Sequence, residues 1–309
     1  MSEETLTRIL ATMRSLNYRP SSLARGLATH RTATIGLLLS EIETPLFLQA
    51  VNYIEPMARS FGFNVLLSNA SSLEDEKKAV NLLVEKDVEG ILFLSISEYR
   101  ENHHLTELGA SGVPLVLINR ATPPEVDQIG WDNCGAATLA VDHLAKLGHK
   151  YIAHLRGPLN RQSSEERLKG YSVGLEKNGL DFRDDYVRAG DYTACPETWQ
   201  QSTQELLSVS PRPTAIIASD DIVAAVVIRA IHHAGLKVPG NISVVGIDDQ
   251  PFCTFLDPAL TTVQLPVINA GKRAVDLLLS RITDPTQSPR QIMLPCSLIV
   301  RESTGAPAT

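Results

Sequence analysis

From residue 34 onward the chain alternates between apolar runs of four to seven residues and longer stretches with helical spacing. That alternation is the tightest constraint on the fold. Runs so continuously apolar must be buried on both faces, and the intervening helices supply the cover. Strands are expected near 35–39, 63–67, 90–94, 114–118 and 151–154, with helices near 47–60, 73–85, 103–110 and 134–147. Gly62, Gly112 and Gly148 stand where helices should stop. After Gly157-Pro158 a second series begins: helix 165–178, strand 186–189, helix 196–208, strand 215–218, helix 222–234 and strand 243–247. Leu260-Thr-Thr-Val-Gln-Leu-Pro266 follows, then a helix near 268–281 and late strands near 291–294 and 297–300. The expected class is α/β, with two doubly wound parallel-sheet subdomains that bind ligands at the carboxyl ends of their strands. A length of 309 residues accommodates two such units.

Other classes are disfavoured. No apolar run approaches the ~18 residues of a membrane span, and Met1-Ser2-Glu3-Glu4 does not begin a signal peptide. Cys134, Cys195, Cys253 and Cys296 are far apart and lack C-x-x-C spacing, which argues against a metal site or disulfide framework and fits a reducing cytoplasm. No cofactor is expected. Residues 1–32 hold five arginines against two glutamates, a net of +3, so the rest of the chain carries −10 of the overall −7. A basic arm on an acidic body is either a solvated flank or a segment that meets a polyanion.

Within that arm, Ser2 is a good N-cap, and Leu6, Ile9, Leu10, Met13 and Leu16 form one apolar stripe. A helix of about 15 residues needs a partner for such a stripe. Either it docks on the body, or the chain starts partway through a small helical domain. Next comes Pro20, suited to a first helical position, and residues 21–28 could add two turns. Gly26 costs such a helix about 1 kcal/mol against alanine, so the segment needs something to order it. DNA could do so, with arginines on phosphates and Leu27 wedged between base steps in the minor groove. A plain interdomain linker is the other reading.

Taken together, SEETLTRILATMRSLNYRPSSLARGLATHRTATIGLLL, TPLF at 44–47, DNCGAATLAVDHLAKLGHKYIAHLRGP at 132–158, RLKGY at 167–171, RPTAIIASDDIVA at 212–224, GLKVPGNISVVGIDD at 235–249, PALTTVQLP at 258–266 and LIVREST at 298–304 resemble the lac repressor (LacI) family of bacterial transcription regulators. Each motif is weak alone; their order and spacing are specific. The resemblance implies a helix-turn-helix headpiece, a hinge helix, and a two-subdomain core like that of periplasmic sugar-binding proteins. Here residues 3–16 match only the third headpiece helix, so the first part of the headpiece is lacking. An initiator misassigned at a GTG valine codon and a deliberate truncation are both open explanations. The domains are then expected as 1–32, partial headpiece and hinge, and 33–309, effector core. The N-subdomain would cover about 33–156 and 264–293, the C-subdomain about 157–263 and 294–305.

A polyol ligand needs paired donors and acceptors for its hydroxyls and an aromatic face for its C–H side. By resemblance, Arg167 is the guanidinium that forks onto the ligand and Asp248 the acceptor across the cleft. Phe47 and Tyr192 match positions whose rings flank it. Arg161 and Ser163 match a loop that sets specificity in the purine-sensing branch, with Asn119, Arg120, Asp132 and Ser219 as second-rank candidates. On their own terms Arg167 reads as a surface helix arginine, Asp248 as a turn residue, Phe47 as core and Tyr192 as a loop anchor. Arg19, Ser21, Ser22, Arg25 and Leu27 are the expected DNA contacts.

Asp220-Asp221 reads as the N-cap and first turn of a helix, where carboxylates suit the dipole. Asp248-Asp249 has no partnering histidine or nucleophile, so no catalytic set is expected and no enzyme. His103, His104, His232 and His233 fall on polar faces and are expected to be solvated.

The expectation is a cytoplasmic, effector-responsive repressor working as a homodimer or a tetramer built from two dimers. Its partners would be operator DNA and a sugar, sugar acid or nucleobase, and no membrane. The alternative is a solute-binding protein for a sugar transporter. Residues 1–309 alone are expected to bind DNA only through salt-sensitive phosphate contacts. In a gel shift, raising salt should abolish binding to operator and random DNA alike; tight, sequence-selective retention would contradict this.

Overall fold

A computed structural model describes residues 2–16, 31–40, 42, 45–70, 72–94, 103–120, 125–159, 161–190 and 196–308. The first helix, α1 (Glu3–Ser15), starts where Ser2 accepts a hydrogen bond from the Thr5 amide. Of its apolar stripe, Leu6 and Ile9 are exposed and Leu16 is 72% exposed.

Two six-stranded sheets form the body. In the first, β1 (Thr34–Leu39), β2 (Asn64–Asn69), β3 (Ile91–Leu94), β4 (Leu115–Ile118), β5 (Asp127–Trp131) and β11 (Gln291–Leu294) lie parallel in the order β11-β5-β4-β3-β1-β2. The second takes β6 (Ile152–Arg156), β7 (Val187–Ala189), β8 (Ala215–Ala218), β9 (Ser243–Asp248), β10 (Thr261–Gln264) and β12 (Ser297–Ile299) in the order β12-β10-β9-β8-β6-β7. Among the described residues only β12 runs antiparallel, against β10.

The side-chain period of two decides which helices cover which face. Leu37 and Leu39 of β1 join one core with Ile54 of α2 (Pro45–Ser60) and Ala270 of α9 (Val267–Thr283). Leu38 points the other way, into a core with Leu83 of α3 (Leu73–Glu85) and Leu105 of α4 (His103–Ala110). The second sheet repeats the arrangement. Ile217 and Val245 face α5 (Asn133–Lys146) and α6 (Gln162–Lys177), while Ile216 and Val244 face α7 (Pro196–Leu207) and α8 (Asp221–His233).

The chain passes between the sheets three times, at Asp132, at residues 265–266 and at residues 295–296. This moves the first boundary. The expected N-subdomain ran to residue 156, but β6 pairs with β7 and β8, and α5 packs on β8, β9, β10 and β12. The passage therefore falls at Asp132, not after 156. Strand β5 is a further addition. Asp127-Gln-Ile-Gly-Trp131 is too polar to read as a buried run, yet Asp127 is buried because Arg281 (Nε, 2.9 Å) and the Arg290 amide (2.7 Å) hold its carboxylate.

Helices α5 and α6 are in close contact over their length, and Gly170 is the reason they can be. A Cβ built there would lie 2.0 Å from the Cys134 carbonyl oxygen, a backbone atom that cannot step aside. The Thr138 hydroxyl also donates to Cys134 O and lies 3.0 Å from Gly170 O, tying the two helices together. Gly170→Ala should therefore destabilise the protein by about 3 kcal/mol, the upper end for overpacking. The expected readout is a lower urea midpoint with an unchanged slope.

Candidate functional site

The strands of both sheets point their carboxyl ends at the crevice between the lobes, where doubly wound folds bind ligands. Three residues there hold positive φ without being glycine: Asn119 at 54° after β4, Asp248 at 126° closing β9, and Asp249 at 57°. Such strain persists only where the surroundings enforce it, and it gathers at binding sites. Asp249 is enforced by Arg301 (2.6 Å) and Gln264 (2.8 Å) on its two oxygens.

Arg167 is buried on α6. Its Nε donates to Asn133 Oδ1 (3.2 Å), its Nη1 to the Ser219 carbonyl, and its Nη2 lies 3.9 Å from Asp248 Oδ1. The ion pair is thus loose, while the guanidinium plane is set by two neutral acceptors. Burial pushes the Asp248 carboxyl well above the usual range, Arg167 opposing and Asp221 and Asp220 reinforcing the rise. Asp220 caps α8 by accepting the Val223 amide (2.8 Å), the role expected of it. Asp221 is fully buried and accepts from the Thr262 hydroxyl (2.5 Å) and the Gln250 amide (2.7 Å); burial raises it to about 6.

Among the described residues, the Oγ atoms of Ser164 and Ser219 are buried without a partner. Ser164 precedes Arg167 by one helical turn, and the Ser219 carbonyl is bonded to Arg167.

Beside this cluster lies an interlobe pocket lined by Asn119, Arg120 and Trp131 from the first lobe and by Asn133, Ser163 and Glu166 from the second. Asn133 joins the two places: its Oδ1 receives Arg167 while its Nδ2 donates to Glu166 Oε2 (2.9 Å). Gln162 donates to the other Glu166 oxygen (2.6 Å). Arg120 is anchored inside the first lobe, its Nη1 donating to both oxygens of buried Glu76 (2.9 and 2.7 Å). His104 Nε2 meets the same carboxylate at 2.7 Å. Burial alone would raise Glu76; the bonds from His104 and Arg120 outweigh it and hold the group below the ordinary range. His104 is therefore half-buried in a charge cluster and not solvated, a correction to the helical-face reading, whereas His103, His232 and His233 are exposed.

The sequence candidates thus separate. Arg167, Asp248 and Ser219 come together, and Asn119, Arg120 and Ser163 line the adjoining pocket. Arg161 is buried at the start of α6. Phe47 packs in the larger apolar core. Asp132 is exposed and caps α5 through the Gly135 amide (2.7 Å). Tyr192 and the DNA candidates Arg19, Ser21, Ser22, Arg25 and Leu27 lie outside the described residues. Asn133, Gln162 and Glu166 were not anticipated. The signal available for them was slight: Asn133 follows Asp132 in DNCG, and Gln162 and Glu166 share a helix face. Among the described residues no group of three or more His, Cys, Asp and Glu could hold a metal, and no helix is long and apolar enough to cross a membrane.

The Periplasmic binding protein-like domain matches residues 141–304. The chain is 32% identical to the ribose operon repressor of Halalkalibacterium halodurans over 98% of its own length and 89% of that protein. It is 33% identical to catabolite control protein A of Priestia megaterium, over 97% and 90%. The solved lac repressor dimer bound to operator and the anti-inducer ONPF superposes with a TM-score of 0.86 at 30% identity, covering 99% of this chain and 92% of that one.

His154 on β6 gives the region a pH signature. It is fully buried, with Nδ1 on the Ile217 carbonyl (3.0 Å), and burial lowers it from 6.5 to about 4. Between those values the unfolded chain takes up a proton that the folded one refuses. The His154 contribution is therefore whole above pH 6.5 and is lost as pH falls towards 4. His154→Gln should flatten the decline of urea midpoint between about pH 6.5 and 4.

Proposed function

This chain belongs to the LacI family of transcriptional regulators, and we propose that it is an effector-responsive, DNA-binding repressor whose interlobe site takes a small polyhydroxylated metabolite. The observation that carries the site is Arg167: buried, oriented by Asn133 and the Ser219 carbonyl, and facing Asp248 across 3.9 Å with two orphaned hydroxyls close by. A guanidinium so fixed offers parallel donors to vicinal hydroxyls, and Asp248 supplies the acceptor. Asn119, Arg120 and Ser163 extend the site into the adjoining pocket, with Arg161, Asp132, Phe47 and Tyr192 as further candidates.

A ligand gripped by both lobes favours one lobe angle over another, and that preference is what passes to the DNA-binding segment. Arg19, Ser21, Ser22 and Arg25 would meet the phosphates of an operator, and Leu27 would enter its minor groove. The protein works in the cytoplasm as a homodimer. Exposed apolar side chains are available to a second copy, among them Phe255, at 85% exposure, and Leu66 and Leu67 on the edge strand β2. No catalytic role is assigned to the acidic pairs, since Asp220 and Asp221 are taken up by capping and by a buried hydrogen-bond set. A ribose operon repressor and the lac repressor are among the relatives, which favours this reading over delivery of a solute to a transporter.

A thermal-shift screen of neutral sugars, sugar acids and nucleobases tests the site. A ligand that raises the melting temperature of the wild type should fail to do so with Arg167→Ala and with Asp248→Ala. Removing one member of a desolvated pair costs binding about 2–5 kcal/mol, at least roughly a 30-fold loss of affinity. An unchanged response in both variants would remove the assignment.

A further inference from the structure

Side chains alternate along β6. Ile152 joins the core under α5 and α6, Ala153 and Leu155 face the other way, and His154 and Arg156 return to the first face. Tyr171 of α6 sets the level of the helix above them: its hydroxyl donates to the Ile152 carbonyl (2.7 Å) and its ring lies 5.3 Å from that of His154. From His154 to Arg156 the strand rises about 6.6 Å. From Tyr171 back to Arg167 the helix covers about 6 Å. Both steps lead towards the crevice, because α6 links the parallel strands β6 and β7 and so runs back along them. Arg156 and Arg167 thus stand level, and both are close enough to His154 to oppose its protonation.

Ser219 and Ser164 complete this corner of the second lobe. Leu155 pairs with Ala218 of β8, so Arg156 and Ser219 follow side by side. The Ser219 carbonyl accepts from Arg167, and Ser164 precedes Arg167 by one turn of α6. Among the described residues, Arg156 Nε and the hydroxyls of Ser164 and Ser219 are buried without a hydrogen-bond partner. All three groups can donate. Arg161, buried at the start of α6, brings a third guanidinium to the region. Two buried acids stand against these cations: Asp220, which caps α8 through the Val223 amide, and Asp248, 3.9 Å from Arg167. Burial favours the neutral form of both acids, whereas guanidiniums stay charged. Glu166 is engaged with Asn133 and Gln162. Positive charge is therefore in excess.

We propose that the effector carries an oxyanion, a carboxylate or phosphate on its polyhydroxylated skeleton, and that Arg156 receives it with Arg167 and the hydroxyls of Ser164 and Ser219. The inference rests on Arg167 belonging to the ligand site. A planar guanidinium presents paired N–H donors that match two oxygens of either group. The serine hydroxyls add donors beside it, and Asp248 remains the acceptor for the hydroxyls of the skeleton. A neutral sugar meets the same donors only with hydroxyl oxygens, which accept more weakly than an ionised group.

Thermal-shift titration of the full chain, in phosphate-free buffer at constant ionic strength, separates the charges. The probes are D-glucose and D-ribose, each with its aldonic acid and its terminal phosphate ester. At least one anionic form should stabilise the wild type at a concentration roughly 10-fold or more below that required of its neutral parent, the effect of hydrogen bonds to a charged group. In Arg156→Gln the preference should shrink to within about 2-fold, as expected once the charged donor is gone. Circular dichroism verifies folding, and Arg156→Met replaces Arg156→Gln if the latter does not fold. Three results overturn the proposal: a neutral sugar bound as tightly as its anionic forms, a preference undiminished in the folded variant, or no stabilisation by any anionic probe. Failure of the ligand site itself shows separately, as a response to a sugar that survives unchanged in both Arg167→Ala and Asp248→Ala.

Discussion

Three passages of the chain between two sheets constrain everything else in this molecule. Each parallel sheet needs helices on both faces, and the chain supplies them by changing lobes at Asp132, at 265–266 and at 295–296. Three covalent tethers side by side leave rotation about the passages as the cheap motion between lobes. The apolar core runs through this region without a break, with Trp131, Leu265, Val267 and Leu294 in one cluster with residues of both sheets. Inside each lobe motion is costly. Helices α5 and α6 approach so closely at Gly170 that a methyl group would collide with backbone, so Asn133, Glu166 and Arg167 travel together.

Buried charge separates what is structural from what is available. Asp127 with Arg281, and Glu76 with Arg120 and His104, are closed sets at 2.7–2.9 Å inside the first lobe. Dismantling such sets strands an unpaired charge in a poorly solvated place. Arg167 and Asp248 differ: 3.9 Å apart, one oriented by neutral groups, the other strained in its backbone and pushed towards protonation by burial. A carboxyl in that condition gains from each hydroxyl that donates to it, which is the physical basis for placing a polyol there. The same comparison lowers the weight of Arg120 as an anion receptor, because its charge is already met by Glu76.

Much of this was open to reading from residue patterns, for a definable reason. Strands buried on both faces are continuous apolar runs, and Ile91–Leu94 and Ala215–Ala218 announce themselves. Helix ends carry local chemistry, as at Ser2, Ser72 and Asp220, whose side chains accept from the amide three residues on. Where a partner distant in sequence carries the cost, the pattern goes quiet. Strand β5 was hidden because Asp127 looks like a surface residue until Arg281 and Arg290 arrive. His104 looked solvated because its partner Glu76 lies on another helix.

The sequence by itself determined the two-lobed α/β class, the family, and the candidates Arg167, Asp248 and Ser219 that meet in space. The class depends on periodicity and caps, which are local along the chain, and the family and its candidates depend on the resemblance carried by motif order. Only the tertiary structure decided which lobe owns β6, that Asn133 bridges Arg167 to Glu166, and that Gln49 reaches Gln250 two hundred residues away. Such facts come from which surfaces the three passages bring face to face. A hydrogen bond between residues so far apart leaves no trace in the neighbourhood of either.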